Sequence, residues 1–155
     1  RDFSYETMFR YLRCELVDIS KEEVDNLENY ALAMGIRGFN LWNKDWDRSY
    51  KSRSKIDFIR LNEARKKAIA GLEQLRTVIK NKESNVREIS TAICSFLLDK
   101  QVAAKLMDYT ARFEAIGKLS LAKEYKQVYR MILDLFDKMV ELLGDEIVPL
   151  TRYWF

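Results

Sequence analysis

The chain has 155 residues, 48% hydrophobic and 33% charged, with a net charge of +3; this length makes one domain that can bury a core unaided, and the composition excludes a disordered chain. One proline and five glycines leave little turn material for a β protein, so long helices are expected. Two cysteines far apart and no histidine argue against a zinc or iron–sulfur site, and no apolar run approaches the roughly 20 residues that span a bilayer.

The cysteine usage predicts a reducing, cytoplasmic setting, and no signal-peptide pattern opens the chain. A disulfide between Cys14 and Cys94 would form only by accident of the fold.

Ser4 precedes Tyr5, Met8, Phe9 and Leu12 at helical spacing, which predicts a short first helix. Ser20 and Glu23 stand three residues apart as a capping box, and Val24, Leu27, Ala31 and Met34 form the apolar face behind them. Gly35 supplies the left-handed residue that stops this second helix, and Gly38 predicts a sharp turn. From Asp57 to about Lys80, Phe58, Leu61, Ala68, Leu72, Leu75 and Ile79 fall on alternating three- and four-residue steps interrupted only by Arg65. The pattern predicts one long amphipathic helix packed on its neighbours, with a dimer zipper as the alternative.

Asn85 and Glu88 repeat the capping-box spacing before Val86, Ile89, Ile93, Phe96 and Leu97. A fifth helix carries Val102, Leu106, Tyr109, Phe113 and Ile116 and ends near Gly117. The sixth opens at Ser120 with Leu121, Tyr125, Val128, Ile132, Leu135, Met139 and Leu142 on one face, and Gly144 ends it. The fold class is therefore all-α, a bundle of about six helices with one long loop. Residues 1–148 are expected to form a single helical domain, and 149–155, beginning at the only proline, the start of a next segment.

The loop from Gly35 to Lys55, about 21 residues, is longer than compact domains usually hold without a function. It carries Arg37, Lys44, Arg48, Lys51, Arg53 and Lys55 against Asp45 and Asp47, a net +4 where the whole chain is +3. The positive charge is thus local. Such a loop can bind a phosphate backbone by counterion release without reading sequence. Trp42, Trp46 and Tyr50 lie among those charges, where aromatics can stack on unpaired bases. The alternative is that Trp42 and Trp46, at i and i+4, pin the loop to the core and leave the cations as its solvated face.

Catalytic signatures are missing. No GxxxxGK[ST] loop is present, and the close glycine pair in GIRG follows a helix where a phosphate loop would follow a strand. Without histidine a hydrolytic triad lacks its usual base. Asp45 with Asp47, or Glu22 with Glu23, are the carboxylate pairs that could hold magnesium, but adjacent acids at a helix start more often serve the dipole. No catalytic and no metal-binding residue is assigned.

Three segments carry a resemblance. FRYLRCELVDISKEEVDNLENYALAMGIRGFNLWNKDW near the start, VREISTAICSFL at Val86–Leu97 and LAKEYKQVYRMILDLFDKMVELLGDE at Leu121–Glu146 resemble, in that order, the AddB subunits of bacterial AddAB (RexAB-like) helicase-exonucleases. The LENYALAMGIRG piece is the most distinctive. AddB subunits are far longer, so an internal piece is expected; the missing initiator Met and the aromatic end TRYWF agree with that.

The resemblance implies a part in double-strand-break processing and recombinational repair, with an AddA-like helicase-nuclease subunit, the rest of AddB and DNA as partners and no membrane. It implies ATP, Mg2+ and an iron–sulfur cluster for the parent ATP-dependent helicase/5′–3′ exonuclease, bound elsewhere, and no enzyme activity in this piece. It also implies a helical insert of the 2B type found in superfamily 1 helicases. Two roles follow as expectations, non-specific DNA contact through the basic loop or docking between subunits. An unrelated helical adaptor is the remaining alternative.

Overall fold

The computed structural model describes residues 3–49 and 56–143, without the side chains at 132, 133, 135, 136, 139, 140, 142 and 143. Among these residues it has eight helices and no strand: α1 (Tyr5–Leu12), α2 (Lys21–Met34), α3 (Phe39–Trp42), α4 (Phe58–Ile69), α5 (Leu72–Lys80), α6 (Val86–Asp99), α7 (Val102–Ala115) and α8 (Leu119–Leu143). The fold is all-α as expected. The two helices beyond the expected six are a helical turn inside the loop and a product of a break in the predicted 57–80 helix. The chain divides into two compact units, Arg1–Ala70 and Gly71–Phe155. The domain boundary expected near residue 148, Gly144 and the proline tail lie outside the described residues.

In the first unit, Ser4 caps α1 by accepting the Thr7 N–H, and Met8, Phe9 and Leu12 are buried. Ser20 and Glu23 form the reciprocal capping box of α2: the hydroxyl accepts the Glu23 N–H at 3.2 Å and the carboxylate accepts the Ser20 N–H at 2.8 Å. Such a cap stabilises a helix by about 1 kcal/mol. Gly35 ends α2 in the left-handed region at φ +64, and the Ile36 N–H returns to the Ala31 carbonyl at 2.9 Å, which satisfies an otherwise orphaned carbonyl.

A polar network joins α1 to α2. Glu28 accepts from the Tyr5 hydroxyl at 2.5 Å and from Arg13, which also reaches Asp25 at 3.0 Å. The Tyr5 hydroxyl first, and then the Arg13 guanidinium, hold the Glu28 carboxyl below its ordinary range against partial desolvation. Glu23 is lowered too, by the Lys67 ammonium at 2.7 Å and then by the Ser20 N–H. A carboxyl depressed in the folded state binds its proton more readily once unfolded, so its stabilisation is full above the ordinary carboxylate range and lost as pH falls. The urea midpoint of this unit is therefore expected to decline between about pH 5 and pH 3. Glu28→Gln should flatten that decline, and an equally steep one would remove Glu28 from the account.

The predicted long helix breaks at Ala70–Gly71. Gly71 sits at φ +81, and a Cβ there would lie 3.3 Å from the Phe96 ring, so the position needs glycine for both its conformation and its space. The Leu72–Ile79 face then packs on α6 within the second unit, whereas α4 belongs to the first. Asn85 and Glu88 form the capping box of α6, at 2.8 and 3.1 Å.

Helices α7 and α8 pack as a hairpin through Gly117. The Thr110 hydroxyl donates to the Leu106 carbonyl at 2.8 Å and lies against the Ala122 backbone, and the Tyr125 ring meets Tyr109 and Phe113 at 5.8 and 5.3 Å. Tyr125 lies on the packed side of α8 as expected, but Leu121 and Val128 of the expected face do not. Ala122 is buried with Tyr125 and Tyr129 half-buried beside it, while Leu121 and Val128 are exposed. Close approach at Thr110 favours a small residue opposite, and alanine takes the contact. Ile116, expected within this helix, is also exposed and lies just beyond its end.

Candidate functional site

The connector between α2 and α4 is held by the core of the first unit. Gly38, at φ +82, opens α3 and its N–H reaches the Phe3 carbonyl at 3.0 Å. One helical turn then delivers Trp42 inward, 0% exposed, with its ring 5.9 Å from Phe9 and 5.2 Å from Trp46. Trp46 is stacked on Tyr30, centroids 4.9 Å apart, and its indole N–H donates to the Leu41 carbonyl at 2.9 Å. Both tryptophans therefore pin the connector. Neither presents a ring face to an unpaired base, and Tyr50 lies outside the described residues.

Three side chains from α2 and α4 hold the connector backbone. The Asn62 oxygen accepts the Trp46 N–H at 2.9 Å while its amide donates to the Trp46 carbonyl at 2.8 Å, so Asn62 pairs with that residue as a neighbouring strand would. The Tyr30 hydroxyl donates to the Arg48 carbonyl at 2.9 Å. Arg65, only 2% exposed, donates to the Trp42 carbonyl at 2.8 Å and to the Asn62 oxygen at 3.0 Å, and its remaining arm pairs with Asp45. A planar fork with several fixed donors suits three acceptors at once.

The sequence pattern presents Arg65 as an interruption in an apolar seam, and its function was missed there. The signal was present: a lone cation at a position whose neighbours in the repeat are buried must find acceptors. Nothing in the sequence marked Asn62 or Tyr30.

Of the predicted cationic residues, Arg37, Lys44 and Arg48 are exposed on the connector; Lys51, Arg53 and Lys55 lie outside the described residues. Asp45, a candidate metal ligand by sequence, is paired with Arg65, so its charge is directed at a buried partner and not at Lys44. A groove of ≈ 460 Å³ on one side of the connector is lined by Asp45, Asp47, Glu63 and Lys66 around Trp46, Phe58 and Ile59. Its carboxylates outnumber its cation, so this side disfavours a phosphate backbone.

Among the described residues no three His, Cys, Asp or Glu side chains are placed to share a metal. Two thiols, Cys14 and Cys94, with no imidazole in the chain cannot supply the four ligands of an iron–sulfur cluster. No described helix is long and apolar enough to cross a membrane.

Fold and site together define a helical module with a core-anchored cationic connector. No family model matches the chain. Along nearly its whole length the chain is similar to one segment of the AddB subunits of ATP-dependent helicase/deoxyribonucleases, which bears out the AddB resemblance. The identity is 37% to that of Lachnoclostridium phytofermentans, over 98% of this chain. It is 38% to that of Clostridium novyi and 33% to that of Clostridioides difficile, each over 99% of this chain. The chain spans only 14%, 13% and 14% of the length of these relatives.

Proposed function

We propose that the chain is a non-catalytic helical segment of an AddB-type helicase–nuclease subunit that serves DNA-end processing and recombinational repair, and that it contacts the DNA backbone without reading sequence. Arg37, Lys44 and Arg48 make the contact, with Lys51, Arg53 and Lys55 on the same connector. The observation that carries this reading is the division of labour at residues 42–48. Tyr30, Asn62 and Arg65 hold the backbone from inside, while Lys44 and Arg48 stay outside. An AddA-like subunit and the rest of the AddB polypeptide are the protein partners, and ATP, Mg2+ and the cluster belong to other parts of the parent.

A titration with a short duplex tests it. Affinity should fall with salt on log-log axes with a slope of roughly 0.9 per phosphate contacted. Joint reversal of Arg37, Lys44 and Arg48 to glutamate should weaken binding about tenfold or more and equally for unrelated sequences. Docking within the parent assembly is the second reading, favoured by Leu98, Ile116 and Leu119, each about two-thirds exposed on the second unit. No duplex binding at low salt would leave that reading alone.

A further inference from the structure

Helix α8 carries a row of cations with no opposite charge beside them. Lys123, Lys126 and Arg130 are exposed, and steps of three and four residues set them along one flank of the helix, over about 10.5 Å, next to the packed side at Ala122, Tyr125 and Tyr129. Gln127, also exposed, follows Lys123 by four residues and precedes Arg130 by three, so it joins the same flank. Glu124 is one, two and six residues from the three cations, none of them a step that brings side chains together on a helix. The flank turns acidic only at Asp134, four residues beyond Arg130.

Elsewhere the chain pairs its cations. Arg13, Arg65, Lys67 and Arg112 each meet a carboxylate, whereas Lys123, Lys126 and Arg130 form no ion pair among the described residues. Like charges at these steps repel and weaken the helix that bears them. The stability of α8 therefore does not explain the row.

The residue types point to phosphate. Lysine is depleted in protein interfaces, which are centred on aromatic and apolar anchors, while Lys, Arg and Gln side chains are what hold the oxygens of a nucleic-acid backbone. No carboxylate lies on the flank between Lys123 and Arg130 to repel such a backbone.

We infer that this flank of α8 is a second phosphate-backbone contact of the chain, made by Lys123, Lys126, Gln127 and Arg130 without reading sequence. The contact rests on the reading that the chain binds DNA, but it belongs to the second unit and does not depend on the connector.

Anisotropy of a short labelled duplex, titrated with the whole chain at several salt concentrations, tests it. Joint replacement of Lys123, Lys126 and Arg130 by glutamine should weaken binding roughly tenfold at low salt and lower the log-log salt slope by about 2 to 3, since each phosphate contact contributes about 0.9. Helical circular dichroism should be unchanged, because the positions are exposed and glutamine is a good helix former. Glutamine at Lys80, Lys82 and Arg87 removes the same charge from exposed positions of the same unit, and should change affinity less than about twofold if contact and not net charge decides. An equal loss in that control overturns the inference. So does an α8 variant that binds like the parent chain while reversal of Arg37, Lys44 and Arg48 weakens binding, a result that keeps DNA contact at the connector. Loss in the α8 variant with the connector reversal harmless upholds the inference and removes the connector from the contact. A parent chain that binds no duplex overturns both and leaves the flank to an acidic polypeptide.

Discussion

Replacing Arg65 with alanine is expected to destabilise the first unit by about 3 kcal/mol, because removing the buried guanidinium takes its donor from the Trp42 carbonyl, leaves the Asn62 oxygen with the Trp46 N–H alone and opens a cavity. Urea unfolding followed by tryptophan emission measures this directly, since Trp42 and Trp46 both lie against the site. Arg65→Lys should recover little, as an ammonium cannot reach three acceptors in a fork arrangement. Asp45→Ala should cost less than Arg65→Ala, because the Asp45 side chain is 72% exposed and water can take its place beside the guanidinium, while the Trp42 and Asn62 contacts remain. Equal losses for Arg65→Ala and Asp45→Ala would mean that the ion pair, and not the backbone contacts, holds the connector.

Trp42→Ala should cost about 4 kcal/mol, the range for emptying a fully buried aromatic site, since Trp42 is 0% exposed and packs on Phe9 and Trp46. Loss of near-ultraviolet circular dichroism before helical signal would show the tertiary origin of the effect. Trp42→Phe should cost distinctly less. It keeps the ring contact and removes an indole N–H that is buried without an acceptor among the described residues, so part of the lost packing is offset by relief of that unmet donor. If DNA contact follows the proposed path, Arg65→Ala and Trp42→Ala both weaken duplex binding without any change in the charge of Arg37, Lys44 or Arg48. A charge effect and a positioning effect at the connector are thereby separable.

The helix starts were legible because their causes are local. A serine or asparagine with glutamate three residues on specifies which N–H groups each side chain accepts, whatever packs nearby, and both expected capping boxes are formed. Gly35 was legible for the same reason. The break at Ala70–Gly71 was not, since Leu61, Ala68 and Leu75 keep an unbroken seven-residue step across it. What ends α4 is the left-handed backbone at Gly71 under the Phe96 ring, a contact with a residue 25 positions away.

At the site, the cationic residues of the connector could be named from composition, because charge needs no partner to be recognised. Their support could not be. Whether Trp42 and Trp46 face bases or the core depends on Tyr30, Phe9 and Asn62 arriving from other helices, and Arg65 looked like a defect until its acceptors were in place.

By itself the sequence determined the all-helical class, the capped starts of α1, α2 and α6, and the local excess of positive charge, since each follows from interactions within a few residues or from no contact at all. Tertiary structure alone decided the division at Gly71, the inward face of α8 and the burial of both tryptophans around Arg65. Those outcomes depend on which surfaces meet across long separations in the chain, and periodicity identifies an apolar face without saying what will cover it.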